Sequence, residues 1–238
     1  MKTLESAENT SKTIEDYLLC VYTLSTEGHT VIAARLAEAL DVAPPTVTAT
    51  LHRMTRDGLI AVSQNKEVVL SEAGQARAET MVRRHRLAER LLTDILGLDW
   101  AEVHEEAHRF EHVISPRVEE RILAVLGDPT TCPHGSPIPG TGARVSPDAM
   151  RLTSVAAGKR VVIDRVSEEA ENSRELLGFF QRSGLVPGRE FVVQEIEPYN
   201  ELILLNQGDD QVAVGMAVAN KLWVRVLNGS QVAGAAAA

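Results

Sequence analysis

Two different hydrophobic patterns divide the chain near residue 150. From Lys12 to about Leu126, apolar residues recur every three or four positions, the spacing of amphipathic helices. From Met150 onward the apolar residues form short runs rich in valine, isoleucine and leucine, separated by glycine and polar residues, as is typical of β-strands. The pattern predicts a helical first part and a small β domain after it.

The beginning of the helical part predicts a winged helix-turn-helix. A first helix runs from Lys12 to Gly28, a second follows Thr30 as its cap, and a third opens at Pro44, where proline costs least. Two short strands, 59–62 and 67–70, follow and form a hairpin. In this plan the third helix enters the major groove of DNA and the hairpin lies along the backbone or the minor groove. The alternative is a winged helix that makes protein contacts only.

Three further helices are expected before a linker. A long helix runs from Ser71 to about Leu96, the next runs from Asp99 to about Ile114, and another begins after Ser115. Apolar positions of these helices are not covered by any other predicted element. They predict a homodimer, which a two-fold DNA site requires. The stretch 127–149 is rich in proline, glycine, serine and threonine, so its composition indicates a linker.

Five strands and one helix are predicted for the β domain, and they suggest a small closed barrel. The strands lie at 159–163, 190–194, 201–205, 211–214 and 222–226, and the helix at 172–183. The fold class is therefore α+β and multidomain, mainly helical with a wing, then a barrel. The expected boundaries are 1–72 for DNA binding, 73–140 for metal binding and dimerisation, 141–150 for the linker, 151–228 for the barrel and 229–238 for a disordered tail.

Candidate chemistry is concentrated in the run His-Glu-Glu-Ala-His-Arg-Phe-Glu-His, residues 104–112. On a helix His108, Glu111 and His112 converge on one face, and His104 lies one turn before His108. Neutral imidazoles and carboxylates suit a divalent first-row metal ion. The pair His85 and Glu89, four positions apart, strengthens the metal hypothesis. A solvated helix face is the alternative.

Composition and charge narrow the function further. The net charge of −9 argues against a general nucleic-acid coat, so DNA binding must be local. Two cysteines make a disulfide framework improbable. The chain shows neither an apolar run of membrane-spanning length nor a secretory apolar core at its N-terminus, and the cytoplasm is the expected location, with no membrane partner.

Four motifs in one order resemble a known family. They are Pro-Thr-Val-Thr with Arg-Met-Thr-Arg-Asp-Gly-Leu, His-Arg-Leu-Ala-Glu-Arg-Leu-Leu, His-Glu-Glu-Ala-His-Arg-Phe-Glu-His-Val, and Pro-Thr-Thr-Cys-Pro-His-Gly-Ser-Pro-Ile-Pro-Gly. Together they resemble the diphtheria toxin repressor family of metal-dependent transcription regulators. The resemblance implies a winged helix, a helical metal-binding and dimerisation domain, and a C-terminal barrel similar to SH3 domains and ferrous-transport accessory proteins.

The resemblance implies a first metal site and favours manganese. It places Asp16 with His108, Glu111 and His112, and Cys132 is expected to add a ligand through its thiol or its carbonyl. The family's iron-responsive members have methionine in place of Asp16 and cysteine in place of His108, whereas manganese members have aspartate and usually glutamate. The loss of sulfur ligands favours Mn(II) over Fe(II). Co, Ni, Zn or Cd are expected to substitute in vitro.

A second site implied by the resemblance uses His85 and Glu89. The position of His104 joins them in the family's iron-responsive members, and that of His134 in some manganese members. An acidic residue of the barrel completes the site, and Glu168 and Glu169 are the candidates. For Cys132 and His134 the alternative is a turn-rich linker with incidental polar side chains.

The predicted DNA-binding residues lie on the third helix and the wing. Pro45, Thr46 and Thr48 match the family's pattern, and Ala49 stands where a glutamine often contacts a base, so the operator should differ from that of the iron-responsive members. The complete predicted set is Pro45, Thr46, Thr48, Ala49, Thr50, Arg53, Arg56 and Lys66.

These observations predict a homodimeric repressor that binds a pseudo-palindromic operator when Mn(II) is plentiful and controls metal-uptake genes. Metal would tie the first helix to the imidazole-bearing helices through Asp16 and select the binding-competent orientation. An Fe(II)-dependent repressor of the same family is the first alternative. The others are a metal-dependent hydrolase and a regulator of the multiple-antibiotic-resistance type that senses an organic ligand.

Overall fold

The computed structural model describes residues 12–227 and divides into two compact units. The first unit contains the chain up to residue 88 together with residues 108–122. The second contains residues 89–107 together with the chain from residue 123 onward. Each unit is built around its own cluster of buried apolar side chains.

Six helices and a short hairpin form the first part of the chain. They are α1 (Lys12–Thr26), α2 (Ala33–Ala39), α3 (Pro44–Arg56), β1 (Ile60–Val62), β2 (Val68–Leu70), α4 (Glu72–Arg90), α5 (Val103–Phe110) and α6 (Pro116–Val125). The winged helix-turn-helix order predicted from the sequence is present. Helix α3 begins with two prolines, as expected of a first turn whose amides lack intrahelical partners.

The core of the first unit joins α1 to α3. Tyr17, Leu18 and Val21 recur at helical spacing on α1 and are buried in the same cluster as Val47 and Leu51 of α3. Burying one such side chain contributes about 1.5–3 kcal/mol, so α1 and α3 are held as one packed pair.

The wing packs closely against the start of α4. Strands β1 and β2 are antiparallel, with Ile60 opposite Leu70. A Cβ added to Gly74 would lie 1.9 Å from the carbonyl oxygen of Leu59. Glycine is therefore required where α4 passes the wing.

Some helix ends differ from the prediction. Ile32, not Thr30, is the N-cap of α2, and it makes no side-chain capping bond. The long fourth helix is α-helical to Arg90 and continues as a π-helical turn over Leu91–Ile95. Helix α5 ends at Phe110, and a 3-10 turn over Glu111–Val113 follows.

The second unit contains an antiparallel six-stranded sheet in the order β3-β8-β4-β5-β6-β7. Its elements are β3 (Met150–Arg151), β4 (Arg160–Val166), α7 (Glu168–Glu171), α8 (Arg174–Arg182), β5 (Glu190–Glu197), β6 (Leu202–Gln207), β7 (Asp210–Gly215), α9 (Met216–Ala219) and β8 (Leu222–Val226). The five predicted strands are β4 to β8. The sequence missed β3, α7 and α9, which are too short to show a period.

The predicted α+β fold class is confirmed. Within residues 12–227, the strand order does not pair β3 with β7, so the expected closure of the barrel is not part of the described hydrogen bonding. No helix in this range is both long enough and apolar enough to span a membrane. The predicted tail, 229–238, lies outside the described residues.

Candidate metal centres

Four side chains with metal-ligating atoms meet in the first unit. Asp16 comes from α1, His108 from the end of α5, and Glu111 and His112 from the 3-10 turn that follows α5. One ligand atom from each lies within 4.8 Å of all the others. We call these four residues the first group; they are the residues that the resemblance implied for the first site, apart from Cys132.

The distances within the first group bring nitrogen and oxygen atoms toward a common point. His112 Nε2 lies 3.1 Å from Asp16 Oδ1 and 3.4 Å from Glu111 Oε1. His108 Nδ1 lies 3.2 Å from the same Glu111 oxygen, and His108 Nε2 lies 3.9 Å from Asp16 Oδ1. Glu111 and His112 both reach this point from the 3-10 turn that follows α5.

Three atoms of the first group fit a bound cation. Asp16 Oδ1, Glu111 Oε1 and His112 Nε2 are buried and make no hydrogen bond of normal geometry within residues 12–227. A buried polar atom without a hydrogen bond costs about 1–3 kcal/mol. A divalent ion accepts all three as ligands, and carboxylate with imidazole is a donor set that first-row metals bind.

The electrostatics of the first group favour an ionised Glu111. Burial alone would raise the pKa of Glu111, but the imidazoles of His108 and His85 outweigh it and lower the pKa to about 2. Burial raises the pKa of Asp16, and the charges of His112 and His108 oppose that rise. The group therefore presents at least one permanent anion at neutral pH.

Two side chains outside the first group hold its ligands. His85 Nδ1 lies 2.5 Å from Glu111 Oε2, and both side chains are almost completely buried. Glu15 Oε2 lies 2.7 Å from His112 Nδ1. The sequence marked His85 only as a ligand of the second site, and it gave Glu15 no defined role.

A second group of ligating side chains lies in the second unit. His104 Nδ1 is 3.0 Å from Glu89 Oε1 and 3.2 Å from Glu171 Oε2. His134 Nδ1 is 3.3 Å from the same oxygen of Glu89 and 3.7 Å from that of Glu171. Cys132 offers its thiol within 4.8 Å of ligand atoms of Glu89 and His134. We call these five residues the second group.

The second group also has the donors for a metal ion. Nε2 of His134 donates to the carbonyl oxygen of Trp100 at 3.1 Å, which leaves Nδ1 as the ligating atom. His134 Nδ1 and Glu171 Oε1 are buried without a hydrogen bond of normal geometry within residues 12–227. A cation would satisfy both.

Charge pairing dominates the second group. Burial would lower the pKa of His104, but hydrogen bonds to Glu171 and Glu89 outweigh it and raise the pKa well above its ordinary value. Burial would likewise lower the pKa of His134, and the charges of Glu171 and Glu89 raise it. Burial and the charge of Glu168 raise the pKa of Glu171. The carboxylates of Glu89 and Glu171 therefore favour the charged form of both imidazoles.

The structure changes two of the residue assignments for these sites. Glu171, which is 3% exposed, supplies the acidic side chain of the second group, whereas the side chain of Glu169 is 70% exposed and pairs with Lys221. Cys132, expected at the first site, lies in the second group. Cys132 and His134 are buried, so this part of the predicted linker is an ordered, packed segment.

The predicted DNA-binding face of α3 is largely exposed. Exposed residues from the predicted set are Pro45, Thr46, Thr48, Ala49, Arg53 and Arg56 on α3, with Lys66 in the wing turn. The assignment of Thr50 to this face was wrong, because Thr50 is 5% exposed and faces the core with Val47 and Leu51. The other seven remain predicted DNA contacts.

Three family models match consecutive parts of the chain. The model of the iron dependent repressor N-terminal DNA binding domain matches residues 9–68, and that of the iron dependent repressor metal binding and dimerisation domain matches residues 71–140. A FeoA domain model matches residues 150–226. The iron-dependent repressor IdeR of Mycobacterium leprae is 40% identical over 222 residues, covering 89% of this chain and 96% of that protein.

The chain belongs to the iron-dependent repressor family. The diphtheria toxin repressor of Corynebacterium diphtheriae is 49% identical to it over 128 residues, covering 54% of this chain and 57% of that protein. A solved manganese-dependent transcriptional repressor in complex with manganese has a TM-score of 0.80 at 30% identity, covering 90% of this repressor and all of that chain. The crystal structure of T. acidophilum IdeR has a TM-score of 0.74 at 25% identity, covering 89% and 97% of the two chains.

These relatives establish the general activity of the repressor. It is a metal-dependent, DNA-binding transcriptional repressor whose partners are DNA and a second copy of itself. The family consists of transcriptional repressors and not of enzymes, so the hydrolase alternative is discarded.

Proposed function

We propose that this protein is a Mn(II)-dependent repressor that binds a pseudo-palindromic operator and represses metal-uptake genes when the metal is plentiful. The family membership supplies metal-dependent repression, and the metal ion and the regulated genes are our inference. The observation that carries the choice of metal is the donor set of the first group, in which all four side chains offer oxygen or nitrogen.

The donor set favours manganese for a chemical reason. Carboxylate oxygens suit harder cations such as Mn(II), whereas thiolate and thioether sulfur select softer ones. Asp16 and Glu111 supply two carboxylates to the first group, and its nitrogen ligands are imidazoles. Affinity alone rises from Mn(II) toward Ni(II) and Cu(II), so metal availability must add to the selectivity in a cell.

The position of Asp16 connects the first group to DNA binding. A cation bound there supplies positive charge that Asp16 and Glu111 share. Asp16 then holds α1 to the turn that carries Glu111 and His112. Because α1 and α3 share one apolar core, fixing α1 also fixes the helix that carries Thr46 and Thr48.

The experiment is selection from a random oligonucleotide pool with the full chain, loaded in parallel with Mn(II), with Fe(II) under anaerobic conditions, or with chelator alone. We expect Mn(II) to enrich one pseudo-palindromic sequence and to tighten binding by roughly 10–100-fold over the chelated protein. Enrichment of the same sequence without metal would contradict the proposal.

An Fe(II)-dependent repressor is the second candidate, because a relative named iron-dependent repressor is 40% identical over most of the chain. The same selection distinguishes the two metals. When both metals are supplied at equal free concentrations close to those in a cell, a larger gain in operator binding with Fe(II) than with Mn(II) would favour iron. The proposed mechanism through Asp16 would then be unchanged.

A further inference from the structure

Glu15 lies beside Asp16 on α1 and contacts a different side of the same imidazole. Its Oε2 is 2.7 Å from His112 Nδ1, while His112 Nε2 faces Asp16 Oδ1 at 3.1 Å and Glu111 Oε1 at 3.4 Å. The side chain of His112 is only 10% exposed and that of Glu15 is 22% exposed. Both ring nitrogens are therefore in contact with side chains of α1.

The hydrogen-bonding capacity of a neutral imidazole decides what this contact does. Such a ring has one N–H donor and one nitrogen lone pair, and an ionised carboxylate accepts only. With Glu15 at Nδ1, the proton belongs on Nδ1 and the lone pair on Nε2. The reverse tautomer would lose the 2.7 Å hydrogen bond at Nδ1 and place its proton on Nε2, which makes no hydrogen bond of normal geometry within residues 12–227.

We propose that Glu15 is the positioning residue of the first group, which accepts a hydrogen bond from Nδ1 of His112 and fixes Nε2 as the metal-binding atom. The inference rests on the proposed function, because it assigns Glu15 a role at the metal site described there. Carboxylates that orient ligating histidines in this way are a recurring second layer of metal sites.

The other imidazole of the first group shows what is particular to His112. His108 has a side chain that is 44% exposed, and its Nδ1 lies near Glu111 Oε1, which is itself a proposed ligand. Within the described residues, no carboxylate outside the first group forms an ion pair or a hydrogen bond with His108. His112 is thus the histidine that the fold orients before metal arrives, and α1 supplies both its partner Glu15 and the ligand Asp16.

A purely structural role for Glu15, joining α1 to the turn after α5, predicts a different outcome. It would lower stability without changing the tautomer of His112 or the affinity for metal in molecules that remain folded. The test therefore reads the tautomer and the metal affinity in addition to folding.

The experiment compares Glu15→Ala and Glu15→Gln with the wild-type chain and with Glu38→Ala, which removes an exposed carboxylate from α2. The tautomer of His112 is measured in metal-free protein by ¹⁵N NMR of labelled histidine at pH 8. Mn(II) affinity is measured from the electron paramagnetic resonance signal of the free ion. Circular dichroism and the melting temperature of each metal-free variant show that it is folded.

We expect the Nδ1–H tautomer in the wild type and a mixture in Glu15→Ala. Glu15→Ala should bind Mn(II) about 10–100-fold more weakly. Glu15→Gln should lose less, because its amide oxygen still accepts from Nδ1, and it provides the measurement if the alanine variant is unfolded. Glu38→Ala should match the wild type in both.

An Nε2–H tautomer of His112 in the wild type, or a folded Glu15→Ala variant with wild-type Mn(II) affinity, would overturn the inference. Failure of the wild type to bind Mn(II) would overturn the proposed function instead. In that case the tautomer measurement, which needs no metal, still decides the role of Glu15.

Discussion

The two groups of ligands differ in how their histidines are paired with carboxylates. In the first group, Asp16 Oδ1, Glu111 Oε1 and His112 Nε2 are buried together, and in the described part of the chain they make no hydrogen bond of normal geometry. In the second group, His104 is paired with two carboxylates and its pKa is raised well above the ordinary value by these hydrogen bonds, which outweigh its burial. His134 Nδ1 and Glu171 Oε1 of the second group also lack such bonds within residues 12–227, so a cation would satisfy atoms in both groups, and the pairing of His104 with two carboxylates is what distinguishes the second.

The places of the two groups in the fold separate them more clearly. Asp16 belongs to a helix whose other face packs with α3, so a change at the first group reaches the predicted DNA-binding helix within one unit. Glu171 and His134 belong to the unit that contains the six-stranded sheet. We infer that the first group senses metal and that the second group mainly stabilises its unit. The predictions below test this division.

The largest expected effect is the loss of metal response in Asp16→Ala. Removing this carboxylate disconnects α1 from the first group, so Mn(II) should no longer tighten operator binding, a loss of roughly 10–100-fold. The stability of the metal-free protein should change little, because Asp16 Oδ1 makes no hydrogen bond of normal geometry within residues 12–227. A gel-shift titration with Mn(II) measures the first quantity, with Glu38→Ala as the control. A normal response of Asp16→Ala would contradict the sensing role.

Gly135→Ala should destabilise the second unit strongly. A Cβ at Gly135 would lie 2.3 Å from the carbonyl oxygen of Asp164, and the φ angle of +96° already disfavours a side chain. We expect a loss of about 2–4 kcal/mol in the free energy of unfolding. Gly142→Ala is the matched control, since its φ is +82° and no atom of residues 12–227 lies within 4 Å of the added Cβ.

Urea denaturation of metal-free protein measures both glycine variants. The control should lose only the roughly 1 kcal/mol that a left-handed conformation costs an alanine. Equal losses at the two positions would show that the segment around His134 is not packed as described.

Glu171→Gln should lower stability while leaving the metal response in place. The change removes a buried negative charge beside His104 and His134, and the expected cost is about 1–3 kcal/mol in metal-free protein. Glu169→Gln, on the same short helix but 70% exposed in its side chain, should cost less than about 1 kcal/mol. If a fully folded Glu171→Gln variant no longer responded to Mn(II), the second group would share the sensing role.

Thr48→Ala should weaken operator binding modestly at every metal concentration. Thr48 is exposed on α3 and its hydroxyl donates to the carbonyl oxygen of Pro44 at 3.1 Å, which leaves the hydroxyl oxygen to contact DNA. The expected loss is roughly 3–10-fold, or about 0.5–1.5 kcal/mol. Thr80→Ala removes an equivalent bond to Ala76 on α4 and is the control. Equal effects of the two changes would count against the proposed DNA-binding face.

The sequence was most informative where one element carries the pattern. His108, Glu111 and His112 follow one another at helical spacing, so their convergence could be predicted without knowing the fold. The second turn of α3 shows the limit of the same reasoning. Thr50 is polar, yet its position three residues after Val47 turns it toward the core.

Which of several neighbouring polar residues takes part in a site depends on local geometry that the periodicity of the sequence does not reveal. Glu168, Glu169 and Glu171 lie on a four-residue helix, and the point at which that helix begins decides which carboxylate is buried. The partner of His112 was equally hidden. Glu15 and Asp16 are adjacent acids, and only the placement of α1 shows that they contact opposite nitrogens of one ring.

The most direct test of the central claim is a crystal structure of the Mn(II)-loaded protein with anomalous diffraction measured at the manganese edge. Our account predicts an anomalous peak bounded by Asp16, Glu111 and His112, with Asp16 and His112 Nε2 both directed at the ion. A manganese-loaded crystal in which Asp16 points away from His112 and no ion lies between them would contradict it.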